Sequence, residues 1–153
     1  MSLKDRLTEN IKTAMKAKDK IRLETIRSIK KAVMEKEISL RPDGQDTLTE
    51  AQELDILAQQ AKQRRDSIEQ YSNAGRDDLA DREAQELVII EEYLPQQLSE
   101  EELSQLIDEI ITKVGAKLPK DMGKVMGMAM KQLKGKADGK QVQAMVKAKL
   151  GDG

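Results

Sequence analysis

Apolar residues recur along the chain at intervals of three and four, the spacing that gathers them on one side of an α-helix. Leu3, Leu7, Ile11 and Ala14 or Met15 open the pattern behind Ser2, a plausible N-cap. Lys18-Asp19-Lys20 interrupts it, and Asp19 can cap a second helix carrying Leu23, Ile26, Ile29 and Val33 to about Leu40. Arg41-Pro42-Asp43-Gly44-Gln45-Asp46 has the chemistry of a loop. Either Thr47-x-x-Glu50 or Thr49-x-x-Gln52 offers a capping box for a third helix through Leu54, Leu57, Ala61, Ile68 and Tyr71, which Gly75 stops. Asp77 and Asp78 suit the positive end of a fourth helix, which carries Leu79, Leu87, Ile90 and Leu94 and closes at Pro95.

Pro95-Gln96-Gln97-Leu98 reads as a boundary, dividing an N-terminal helical domain (1–95) from a small C-terminal one (96–153). Beyond it, Ser99-Glu100-Glu101-Glu102 is a strong capping box. It is followed by the stripe Leu103, Leu106, Ile107, Ile110, Ile111 and Val114, and Gly115 ends the helix. A second short helix is expected from about Asp121 to Leu133, and a third behind Asp138 with Val142, Met145, Val146 and Leu150. No segment alternates as a strand would, so the expected class is all-α. Composition agrees, with 36% charged residues, 1% aromatic, no Phe, no Trp and two tyrosines, because sheet cores draw on aromatic and β-branched side chains.

The chain contains no His and no Cys. That excludes imidazole acid–base catalysis, a thiolate nucleophile, disulfides and His/Cys metal sites. Neither a Walker-type phosphate loop nor a dinucleotide glycine fingerprint occurs, and Ser67 beside Arg64 and Arg65 has no base to activate it. Carboxylate runs such as Glu91-Glu92 read as solvated helix faces. No metal, no cofactor and no catalytic residue is expected. Met1-Ser2-Leu3-Lys4-Asp5 lacks an apolar signal core and no run reaches membrane-spanning length, so the expected location is cytoplasmic, without membrane contact.

The formal net charge of -1 conceals a segregated layout. Residues 1–40 hold 11 Lys/Arg against 6 Asp/Glu, residues 41–110 hold 6 against 19, and residues 111–153 hold 10 against 3. Mutual compensation between basic ends and acidic middle is one reading of this pattern; a polyanion-binding C-terminal surface is the other. The second gains from the stretch Lys120 to Gly135. At 100° per residue, Met122, Val125, Met126, Ala129 and Leu133 fall on one side, and Lys120, Gly123, Lys124, Gly127, Lys131 and Lys134 on the opposite side. Glycine inside a helix costs about 1 kcal/mol relative to alanine, so two on a lysine-lined face call for a reason. Bare backbone that lets a phosphate chain approach is one; close helix packing is the other. Lys136, Lys140, Lys147 and Lys149 extend the basic surface. With so few aromatics base stacking is unavailable, which favours backbone and shape recognition of a structured RNA.

Several separated motifs resemble the YqeY family. They are Gln63-Arg64-Arg65-Asp66-Ser67-Ile68 with Tyr71, Ala74-Gly75-Arg76-Asp77-Asp78-Leu79-Ala80, and Tyr93-Leu94-Pro95-Gln96-Gln97-Leu98-Ser99. Asp121-Met122-Gly123-Lys124-Val125-Met126-Gly127 and Gly135-Lys136-Ala137-Asp138-Gly139-Lys140 complete the pattern. The resemblance implies a larger helical N-terminal domain and a C-terminal domain similar to the tail of GatB, the B subunit of the aspartyl/glutamyl-tRNA amidotransferase. A related tail occurs on some glutaminyl-tRNA synthetases. It also implies a family label of carbon–nitrogen ligase with glutamine as amido donor, although the residues of that chemistry have no counterpart here. The tail's tRNA engagement is what the resemblance transfers, with Lys120, Gly123, Lys124, Gly127, Lys131, Lys134, Lys136 and Lys140 as the candidate surface. The expected partners are tRNA or another structured RNA and a component of an amidotransferase or aminoacyl-tRNA synthetase. The alternative is a protein-docking module that uses the acidic central helices around Arg76 to Glu92, without RNA.

Overall fold

The computed structural model describes residues 1–151. Among them it contains seven α-helices and no strand, the all-α class that the periodicity predicts. The chain forms two compact units, Met1–Leu94 and a second that begins at Pro95.

The first unit holds α1 (Leu3–Ala17), α2 (Lys20–Leu40), α3 (Glu50–Asn73) and α4 (Asp77–Glu91). Each start has a side chain to accept the orphan N–H groups of the first turn, α4 excepted. Ser2 Oγ accepts from Asp5 N at 3.1 Å while the Asp5 carboxylate accepts from Ser2 N at 3.3 Å. Of the two threonines that could open α3, Thr49 does so: its Oγ1 accepts from Gln52 N at 3.2 Å and Gln52 Oε1 accepts from Thr49 N at 2.9 Å. Between α1 and α2 the chain turns on Lys18, a non-glycine residue at φ 56° and ψ 33°, which costs about 1–2 kcal/mol and lets α2 fold back along α1. Arg41–Asp43 forms a short 3-10 turn inside the segment that the sequence marks as loop.

The core of this unit is Leu3, Leu7, Ile26, Ile29, Val33, Leu57, Ala61, Ile89, Ile90 and Tyr93. Each large aliphatic side chain among them contributes roughly 1.5–3 kcal/mol on burial. Tyr93 brings a polar tip into that core, and its hydroxyl accepts from Asn10 Nδ2 while the Arg6 guanidinium lies 5.0 Å from the ring centroid.

The second unit is a three-helix cluster of α5 (Glu100–Val114), α6 (Met122–Gln132) and α7 (Gly139–Leu150). The box at its entry closes as the sequence indicates, with Ser99 Oγ accepting from Glu102 N and Glu102 Oε1 from Ser99 N, both at 3.2 Å. Gly115, at φ 69°, takes the left-handed conformation that ends α5, where a side chain would be strained. Asp138 caps α7 through Lys140 N at 3.3 Å. Leu103, Ile107, Ile110, Val125, Ala129, Leu133, Val142 and Val146 are buried together. The Met122 and Met126 side chains fill in partly around them. No helix among the described residues is long and apolar enough to cross a membrane.

Candidate nucleic-acid interface

The basic face of the second unit is built around α6. Val125, Ala129 and Leu133 are buried and fix the rotation of the helix against α5 and α7. That rotation turns Gly123, Lys124, Gly127 and Lys131 outward, and all four are exposed. Lys120 is exposed on the 3-10 turn Pro119–Asp121 that leads into α6, and Lys134, Lys136 and Lys140 are exposed in and beyond the α6–α7 connection. Hydrogen bonds hold that connection: Gln97 Nε2 donates to Gly135 O at 2.6 Å and Leu98 N donates to Lys136 O at 2.9 Å. Lys134 and Lys140 each already engage in a polar or electrostatic contact, so the core of the candidate surface is Lys120, Lys124, Lys131 and Lys136.

The two glycines are open. A methyl group placed on Gly123 or Gly127 would meet no neighbouring atom within 4 Å beyond its own helical turns. Close packing by another helix therefore does not account for them. Gly127→Ala should raise stability by about 1 kcal/mol, and Gly123→Ala by less because it lies in the first turn. Thermal melts of the two variants check this; a fall in stability would mean that some contact requires the notch.

The face also carries a negative charge whose role the residue pattern does not reveal. The Asp121 carboxylate stands between Lys120 and Lys124 and accepts from Lys117 N and Leu118 N, both at 3.1 Å. Those two backbone donors, with the lysines adding to them, hold its pKa below the ordinary aspartate value. It is thus a fixed negative charge that ties down the turn before α6 and offsets one lysine. Next to it, Pro119, Met122 and Leu150 floor a shallow groove flanked by Lys120 and Lys147. On α7, Lys149 is committed to Asp108 at 2.8 Å.

Among the described residues no group of three or more His, Cys, Asp or Glu is arranged to hold a metal. Ser67 lines a polar cleft with Gln63, Arg64, Asp66, Glu83 and Glu86. Arg64 is the centre of that cleft, with only 12% of its side chain exposed. Its Nη1 donates to Gln60 Oε1 at 3.0 Å and its Nη2 to Ser28 Oγ at 3.3 Å, while Glu83 and Glu86 each place an oxygen 3.9 Å from Nε. Burial first, and Glu86 second, push the Glu83 pKa upward. Just past α4, Glu92 pairs with Arg22 of α2 at 2.8 Å, while Arg82 of α4 pairs in the other sense with Glu24 of α2. Part of the acidic excess is therefore spent inside the first unit.

The chain is similar to proteins named "Altered inheritance of mitochondria protein 41, mitochondrial". With that of Kluyveromyces lactis it shares 34% identity over 146 residues, 93% of this chain and 72% of the relative. With that of Lachancea thermotolerans it shares 36% over 110 residues, 71% of this chain and 57% of the relative. For one from Saccharomyces cerevisiae the figures are 35% over 117 residues, 72% and 62%. These names overturn the expected cytoplasmic location. That expectation rests on missing signals, and a missing signal reads alike in more than one compartment. The family model described as Yqey-like protein matches residues 4–150, nearly the whole chain and both of its compact units, and on that match the chain belongs to the YqeY-like family.

Proposed function

We propose that the second unit binds a structured RNA, tRNA being the leading candidate, through phosphate contacts from the α6 face. The protein would then act as a non-catalytic accessory to tRNA-dependent amidation or aminoacylation. The observation that carries this reading is the pair of unfilled notches at Gly123 and Gly127 among exposed lysines. Lysine ammoniums neutralise phosphates as point charges, and bare backbone between them lets the sugar–phosphate chain come closer than side chains would allow. With no Phe or Trp, and both tyrosines in the first unit, this surface offers no stacking platform. Affinity without sequence discrimination is the chemistry such a face supports.

Filter binding of the full chain to tRNA tests it. About four phosphate contacts predict a loss of roughly a hundredfold in affinity between 50 and 200 mM salt. In the same assay Gly123→Ala and Gly127→Ala should weaken binding while raising the melting temperature. Opposite signs in the two measurements distinguish a contact surface from a merely solubilising one. Absent binding at low salt, or binding indifferent to salt, would overturn the reading.

A further inference from the structure

The first unit carries a second surface that the RNA reading does not use. On α2, Arg27, Lys31, Met34 and Ile38 follow one another at intervals of four, three and four, a seam like those along which helices pair. With Ile11 of α1 and Lys30 they line a groove of about 510 Å³, walled mostly by carbon. The opposite side of α2, through Ile26, Ile29 and Val33, is buried in the core, so this seam is the helix's outward face. Met34 is 44% exposed and Ile38 56%, and Met15 on α1 is 54% exposed. The side chains of Arg27, Lys30 and Lys31 form no ion pair or hydrogen bond among the described residues. The arginines and lysines of the same unit that face carboxylates, such as Lys4 with Glu37 at 3.2 Å, are paired. Glu35 is the one acidic residue at the groove's rim.

We infer that this groove seats an amphipathic helix of a protein partner, with carboxylates opposite Arg27, Lys30 and Lys31 and aliphatic side chains opposite Met34 and Ile38. Charge and shape select that occupant together. Three cations against one carboxylate along the groove call for acidic groups. Two large exposed apolar side chains in the same groove gain nothing from a phosphate chain. From Arg27 to Ile38 the seam runs about 16 Å, the length of three helical turns. A groove between two helices accepts one further helix in the way helix-in-groove recognition does elsewhere.

The test places a photo-crosslinking phenylalanine analogue at Met34 in the full-length chain, expressed in its native host. Adducts are identified by sequencing the crosslinked peptide. The expected adduct is an amphipathic segment of another protein that carries at least two carboxylates within three helical turns. Reversing Arg27→Glu and Lys31→Glu should lower its yield about tenfold or more, since like charges would then face one another. The helical signal of that variant should be unchanged, because both positions are exposed. An adduct to lipid, to RNA or to a second copy of this chain overturns the inference. So does a basic or non-helical protein segment, a yield insensitive to the charge reversal, or no adduct at all.

Discussion

Lys124→Glu together with Lys131→Glu should reduce tRNA retention by the full chain to background. The two positions lie seven residues apart on the same side of α6, close to two whole turns, and flank Gly127. Replacing both swaps two phosphate partners for two repelling charges. Like charges set against one another cost several kcal/mol, and about 3 kcal/mol corresponds to a loss of more than a hundredfold. Both side chains are exposed, so stability should change by about 1 kcal/mol at most. Two small penalties are foreseeable. A glutamate at 124 would stand near Asp121, and one at 131 would sit at the negative end of the helix. The matching control is Lys12→Glu with Lys16→Glu on α1, which changes net charge equally and should leave retention within about threefold, because neither lysine belongs to the α6 face. Equal losses from the two pairs would show a response to overall charge rather than to the α6 face.

Arg64→Met should destabilise the first unit by about 2–3 kcal/mol. The guanidinium ties α3 to Ser28 of α2 and stands 3.9 Å from Glu83 and Glu86 of α4. Both glutamates are mostly buried, at 22% and 16% exposure. Removing the cation leaves two carboxylates facing one another in a poorly hydrated cleft, and breaking a buried pair in this way reaches 3–5 kcal/mol. The long contact at Nε, which has no hydrogen-bond partner, argues for a figure below that ceiling. Chemical denaturation followed by helical signal measures the loss. Adding Glu83→Gln and Glu86→Gln to Arg64→Met should recover most of it, since the repulsion leaves with the charges. A cost below about 1 kcal/mol for Arg64→Met alone would mean that the cleft is wet enough to screen them.

Acidity supplies a further sign for the same cluster. The folded pKa of Glu83 lies above its unfolded value, through burial and then through Glu86. Its contribution to stability is therefore present below the ordinary glutamate range and lost as pH rises through the folded pKa. The penalty of Arg64→Met should accordingly shrink as the solution is acidified from neutral towards that range. A penalty that grew on acidification would contradict the arrangement.

Local chemistry made the helices legible. Ser2, Asp19, Thr49, Ser99 and Asp138 each begin a helix because a short side-chain oxygen satisfies an N–H of the first turn, and that signal lies within three residues of sequence. The buried stripe of α5 was equally visible, because Leu103, Ile107 and Ile110 repeat with the helical period. The α6 face was legible for the same reason, since lysine and glycine positions separate from methionine and valine at 100° per residue. Whether Gly123 and Gly127 were open or filled was not, because that depends on what lies across the helix. The Arg64 cluster joins residues 28, 60, 64, 83 and 86, and no window of sequence contains it. Asp121 falls within a family-like motif, but its two backbone donors come from a turn that periodicity does not describe. The groove beside α2 is not legible in the sequence, because nothing there marks Met34 and Ile38 as outward-facing until the core is seen on the other side.

Tyr71 and Tyr93 both belong to the first unit, and the chain has no Phe or Trp. Ultraviolet absorbance above the peptide band and intrinsic emission consequently originate in that unit alone. The three-helix cluster bearing the lysines is optically dark, so its melting or its meeting with RNA leaves tyrosine emission to report the other half of the chain. A tryptophan introduced at Met130, which is 43% exposed on α6, would give the dark half a signal of its own.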